Sequence, residues 1–262
     1  HMAMLLGTMK VLVSVRDRLK GTVYCAFEEG EETNCGIEAM IQALEKYPID
    51  RCMALHVYNM LEAGKVNLVP GPRMAGTVRI GFHLKGKSGH GSRPDQAISP
   101  IIPGAHIISE INSAFNNQLN IEETVTLGFG MFAAGTAWNI IPDDAYITGN
   151  ARYFDPVEGD KAFALINRTI KNVAEIHRCG VEFDPTHRIS PLPVVNDAGV
   201  VERVRANVVD ACGEEVLGDC DRWFASECYS AYLAKYPGAL GLLGIRNEEL
   251  GSGAAHHNGQ FD

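Results

Sequence analysis

Between Thr77 and about residue 186 the chain carries a hydrophobic pattern that few folds can satisfy. Thr77 to Leu84 alternates, with Val78, Ile80 and Phe82 on one face and Arg79 and His83 on the other. That is the period-two signature of a strand covered on one side only. A helical spacing of apolar residues follows at about 98–116, then strand-like runs at about 123–131 and 144–153. A second amphipathic helix covers 157–178, and a last strand occupies about 181–186. The order strand-helix-strand-strand-helix-strand predicts a split βαβ arrangement, an antiparallel sheet with two helices on one face.

The flanking segments have a different rhythm. Residues 3–19 place Leu5, Met9, Leu12 and Leu19 at helical spacing, and Thr22 to Phe27 reads as a short buried strand. A turn-rich stretch from Glu28 to Gly36 leads to a helix at about 37–47, and Cys52 to Val57 reads as a second buried strand. Strands joined by helices in this way imply an α/β sheet. Pro70-Gly71-Pro72 marks one boundary and Ser190-Pro191-Leu192-Pro193 the other. Helices at 198–211 and near 227–235 and a strand at 239–244 then return to α/β material. The expectation is one α/β domain, residues 1–76 and 191–262, interrupted by an α+β domain at 77–190.

Composition narrows the partners. Lys and Arg number 23 against 32 Asp and Glu, a net charge of −9, and no basic block interrupts that balance. A nucleic-acid partner is therefore not expected. No uncharged apolar run reaches the roughly 18 residues of a membrane helix, and no signal peptide is expected. The seven cysteines are odd in number and form no CxxC pair. Most of them read as small core residues in a reducing compartment, so a cytoplasmic protein is expected.

Several residues suit chemistry. The acidic stretch Glu28-Glu29-Gly30-Glu31-Glu32 follows an expected strand, where ligands of open α/β sheets bind. One Glu there can ligate a divalent cation while its neighbour moves protons; a solvated turn before a helix N-terminus has the same composition. His56 ends the second expected strand, and His256-His257 lies in a Gly/Ser/Ala-rich loop; imidazole is a common metal ligand and equally a common structural residue. His90, in a glycine-flanked turn, can present a donor to an oxyanion. Asn139 and Arg152 can hold a carboxylate, and each can also be a turn or surface residue with a local partner.

Taken together and in order, these blocks resemble the aminoacylase/carboxypeptidase family of metallopeptidases, in its branch of N-acyl-amino-acid amidohydrolases. The carriers are Phe27-Glu28-Glu29-Gly30-Glu31-Glu32, Leu55-His56-Val57, Gly86 to His90, Gly135 to Pro142, and His257 to Phe261. The resemblance implies a zinc-peptidase-like mixed sheet with helices, incomplete here, and an inserted ferredoxin-like lid and dimerisation domain. It implies Glu31 as general base, Glu32, His56 and His257 as ligands of a divalent metal (zinc, manganese or cobalt), and His90 as oxyanion donor across a homodimer. Asn139 and Arg152 would bind the substrate, an N-acyl amino acid or dipeptide.

Two departures accompany the likeness. The family's Cys-Gly-His-Asp-x-His block stands before the segment at which this chain begins, and its Ser-Glu-Asp-Phe is Ser226-Glu227-Cys228-Tyr229. The expectation is weak or absent turnover for this chain alone. Alternatives are a non-catalytic binding or dimerisation protein of the same descent, and a metal-dependent dipeptidase.

Overall fold

The computed structural model describes residues 1–33 and 35–261; Asn34, within the turn-rich stretch 28–36, and Asp262 lie outside the described residues. In chain order the first elements are α1 (Met2–Ser14), α2 (Ile37–Leu44), β1 (Cys52–Glu62), β2 (Val66–Asn67), β3 (Gly71–Met74), β4 (Gly76–Lys85) and β5 (Gly89–His90). Next come α3 (Ile101–Gln118), β6 (Val125–Ala134), β7 (Ile140–Ile141), β8 (Asp144–Tyr153), α4 (Pro156–Ile176) and β9 (Gly180–Phe183). The last are β10 (Val194–Asn196), α5 (Ala198–Cys212), α6 (Ser230–Leu233) and β11 (Gly238–Arg246). The chain divides into two units, His1–Arg73 with Val194–Arg222 and Cys228–Asp262, and Met74–Pro193 with Trp223–Glu227.

In the second unit the alternating run of β4 lies inside a four-stranded antiparallel sheet of order β6-β8-β4-β9. Val78, Ile80, Phe82 and Leu84 of β4 join Ala145, Ile147, Ala151 and Tyr153 of β8 on one face. Against that face pack Ile107, Ile111 and Phe115 of α3 and Ala162, Leu165, Ile166 and Ile170 of α4. Each fully buried aliphatic side chain contributes about 1.5–3 kcal/mol, so this face dominates the unit's stability. The start of α4 is fixed locally, because the Asp155 carboxylate caps it by accepting the Glu158 N–H at 2.9 Å. The opposite sheet face is polar and carries Thr77, Arg79, His83 and Lys85 of β4 opposite Arg152, Asn150, Tyr146 and Asp144 of β8.

In the first unit β11 is central, parallel to β1 on one side and antiparallel to β2 on the other. Leu68, Val200, Val201 and Ala239 form its core, with α5 against the sheet. The Asp197 carboxylate caps α5 by accepting the Val200 N–H at 2.8 Å.

Two local expectations fail here. Thr22–Phe27 is not a strand, and no residue in it is buried. Its β-branched and aromatic side chains favour a ladder, but among the described residues no strand pairs with it, and propensity without a partner does not make a strand. Cys52–Val57 is a strand but not a buried one. β1 lies at the sheet edge and leaves Met53 and Leu55 more than 40% exposed (42% and 43%).

Candidate metal centre and substrate-binding residues

The acidic turn is shaped by two glycines. Gly30 has φ of +63°, and a side chain on Gly36 would collide with the Glu29 carbonyl oxygen. Glu28 is committed to anchoring: its carboxylate accepts the Cys228 thiol at 3.0 Å and the Tyr232 hydroxyl at 3.0 Å. Both donors are buried. Desolvation, and after it the Glu28 charge, pushes the Tyr232 hydroxyl well above the ordinary tyrosine range, so it stays a donor. Glu31 and Glu32 fall in a single 3-10 turn, Glu31–Thr33, with Glu31 half-buried and Glu32 exposed.

Glu32 Oε2 and His257 Nε2 stand 3.6 Å apart, each side chain 75% exposed. Ligand bonds of about 2.0–2.2 Å put neighbouring donors of a tetrahedral ion roughly 3.4 Å apart, so this pair fits one divalent cation. His56 is packed instead against His1, at 4.4 Å between ring centroids, and His256, at 5.5 Å. Among the described residues, the donor atoms of Glu32, His56 and His257 do not come within 4.8 Å of one another as a set. The structure therefore joins two of the three expected ligands and holds the third in an adjoining histidine cluster. The backbone explains part of this, since His257 takes φ of +60° while its side chain stays largely in solvent.

The His56 ring is nonetheless in the state a ligand needs. Its Nδ1 lies 2.7 Å from the Val57 carbonyl, to which Nδ1–H donates, fixing the lone pair on Nε2. Burial lowers its pKa; the Val57 bond and the Glu31 charge oppose that, and His256 adds to it. The family resemblance assigns ligation to His257, but the ring packed against His56 belongs to its neighbour His256. Its pKa is also lowered, by burial and then by His257, and its ring packs against Tyr58 and Phe261. The His256-His257 pair was visible in the sequence, but nothing local says which of two adjacent rings turns inward.

In the other unit, β5 pairs with β7 so that His90 stands opposite Ile140, and the Gly91 N–H donates to the Asn139 carbonyl at 2.8 Å. A Cβ on Gly91 would sit 3.1 Å from that oxygen, so glycine permits the approach. The Ser92 N–H donates to His90 Nδ1 at 3.2 Å, which leaves the neutral ring's proton on Nε2, on a side chain exposed to solvent. His90 and Asn139 are thus brought together. Arg152 lies opposite Thr77, at the other end of β4. Its Nε donates to Asn150 Oδ1 at 3.1 Å, and its Nη1 to Thr77 Oγ1 at 2.7 Å and Ser226 Oγ at 3.0 Å. Ser226 opens the Ser226-Glu227-Cys228-Tyr229 block, but nothing local in the sequence pairs it with Arg152.

All seven cysteines are free thiols, and among the described residues no helix is long and apolar enough to cross a membrane. Comparisons with known proteins agree on the family. A sequence model of the peptidase family M20/M25/M40 matches residues 1–262. The chain is similar to the N-acyl-L-amino acid amidohydrolase of Geobacillus stearothermophilus, 34% identical over 184 residues, which covers 70% of this chain and 50% of that protein. It is also similar to IAA-amino acid hydrolase ILR1-like 4 of Arabidopsis thaliana, 27% identical, covering 100% of this chain and 60% of the relative. The chain therefore spans about half to three-fifths of the length of these relatives. Among solved structures it resembles the YXEP protein of Bacillus subtilis, described as a dinuclear metal binding peptidase, with a TM-score of 0.75 and 24% identity. That likeness covers 94% of this chain and 62% of the other, and it shows the fold. With the family match running through the α/β unit, the four-stranded sheet and the histidine-bearing tail alike, the chain belongs to the peptidase family M20/M25/M40.

Proposed function

We propose that this chain carries residues of a metal-dependent hydrolase that cleaves the amide bond of N-acyl amino acids or small peptides. The observation that carries the reading is the Glu32–His257 pair, set 3.6 Å apart, with the half-buried Glu31 next to Glu32 in the same 3-10 turn. A mixed carboxylate and imidazole donor set suits zinc, manganese or cobalt. When bound, the cation supplies Lewis acidity to the water and the scissile carbonyl. Glu31 takes a proton from that water and returns it to the leaving amine. His90 donates its Nε2–H to the developing oxyanion. Arg152 holds the substrate's carboxylate through the Nη2 of its guanidinium, and Asn139, which stands beside His90, serves the carbonyl oxygen with it.

Homodimerisation through the four-stranded sheet belongs to the same proposal. β6 is a ten-residue edge strand, and near it Phe132 (38%), Ile140 (53%) and Trp138 (98%) are exposed. An apolar strand edge of this length favours a partner strand. Free thiols throughout support a reducing, cytoplasmic setting.

The test is metal titration of the 262-residue chain by calorimetry, with an assay on a panel of N-acetyl-L-amino acids. One ion binds, and Glu32→Gln and His257→Ala each weaken it about tenfold or more. Hydrolysis is slow and is lost in Glu31→Gln. Metal affinity indifferent to both ligand variants, or turnover untouched in the Glu31 variant, would overturn the reading.

A further inference from the structure

The polar face of the four-stranded sheet holds a second arginine that the functional reading leaves unused. Arg79 pairs with Asn150, and Arg152 lies two residues along β8 from Asn150. The two arginines are therefore diagonal neighbours on one face, roughly 7–8 Å apart between Cα atoms. The alternation fixes that face, because Val78, Ile80 and Ala151 point the other way into the core.

Neither guanidinium is neutralised. The acceptors of Arg152 are an amide oxygen and two hydroxyls, on Asn150, Thr77 and Ser226. Among the described residues no carboxylate pairs with either arginine. Asp184, which lies against Gly81 on β4's polar face, is engaged by the Thr186 N–H and hydroxyl and by the Tyr146 hydroxyl. Both arginines are half-buried, and burial followed by the like charge of Arg79 lowers the Arg152 pKa. Two like charges held together without a counterion on a partly desolvated surface attract an anion.

The surface beside them is open. Across the sheet from Asn150 stands Gly128 of β6, and nothing lies within 4 Å of where its side chain would be. Arg152 has Nη2 unspent in the hydrogen bonds above. One arginine satisfies the single α-carboxylate that every N-acyl amino acid carries; the second is then left over for any substrate with an uncharged side chain.

We infer that Arg79 and Arg152 together form a two-guanidinium cradle for a substrate whose amino-acid part carries a second carboxylate, an N-acyl aspartate or N-acyl glutamate. This rests on the N-acyl amino acid reading above and assigns Arg79 the side-chain carboxylate. Arg79 is a specificity residue and takes no part in proton transfer.

The experiment is calorimetric binding of N-acetyl-L-glutamate and its neutral isostere N-acetyl-L-glutamine to the full chain, with no turnover read. The wild type prefers the glutamate by about tenfold or more, the ratio one charge-assisted hydrogen-bond pair confers. That ratio shrinks as salt is raised, because a partly exposed pair is screened. Arg79→Gln brings it within about twofold, and Arg79→Lys, which keeps the charge, retains at least about threefold. Equal affinities in the wild type, an undiminished ratio in a folded Arg79→Gln, a folded Arg79→Lys with no preference, or no binding of either ligand would each overturn the inference. A chain that binds glutamate selectively yet never hydrolyses it leaves the cradle standing and removes the hydrolase reading instead.

Discussion

The Cys228 thiol donates to the Glu28 carboxylate at 3.0 Å, tying the acidic turn to a segment 200 positions further along the chain. Tyr232, one helical turn on, donates to the other oxygen at 3.0 Å. Removing either donor leaves a half-buried carboxylate oxygen short of a partner, which costs about 1–3 kcal/mol. Cys228→Ala and Tyr232→Phe should each lower the urea midpoint accordingly. Cys228→Ser, whose hydroxyl still donates, should recover most of the loss.

Asn196 performs a comparable task at the centre of the first unit. Its Nδ2 donates to Leu240 O and Val69 O, both at 3.0 Å, and its Oδ1 accepts the Leu240 N–H at 2.8 Å. It is 3% exposed, so no solvent stands ready to replace those bonds. Asn196→Ala strands buried backbone groups and should cost roughly 2–4 kcal/mol in denaturant unfolding. A loss below about 1 kcal/mol would show that the strand does not depend on this clamp.

The pH response of the second unit follows from His187. Its ring accepts the Gly81 N–H at Nδ1, 3.3 Å away, and Nε2–H donates to Asn167 Oδ1 at 2.9 Å. Burial pushes its pKa down to about 4 from the ordinary 6.5, with Asp184 opposing. The folded state thus favours the neutral ring. The resulting stability is complete above pH 6.5 and is lost as the pH falls towards 4, where the unfolded chain binds the proton first. Melting temperatures measured from pH 7 to 4 should fall in the wild type and fall less steeply in His187→Gln.

Gly149 sets how closely β6 lies against β8. A Cβ there would stand 2.5 Å from the Gly128 carbonyl and 3.0 Å from the Phe129 ring. Gly149→Ala must push the edge strand outward, beside the register shift between Phe129 and Met131. The expected loss is about 1–3 kcal/mol, with faster amide exchange along β6 than along β4.

Much of the four-stranded sheet was legible in the sequence because its elements are long and strongly periodic. The run at 144–153 coincides with β8, and Val78, Ile80 and Phe82 are buried as their alternation requires. The β5–β7 ribbon was not, since two-residue strands such as Gly89–His90 leave no period to detect. The site was legible as residue types rather than as geometry. Glu31, Glu32, His90, Asn139 and Arg152 were named from motifs, but which histidine meets Glu32 is decided by tail backbone angles that composition does not encode. The Glu28 anchor was hidden for another reason: its partners lie so far away in the chain that no window of sequence contains them.

The position of β11 imposes an order of assembly. Cys52 must wait for Gly238 and Asn67 for its strand partner Leu242, so the sheet of the first unit closes only once residues 238–246 have been made. The strands of the second unit are all nearer to one another in sequence and can pair during synthesis. A nascent chain arrested before residue 238 should therefore protect Ile80 and Ile147 from proteolysis while Met53 and Leu55 stay cleavable.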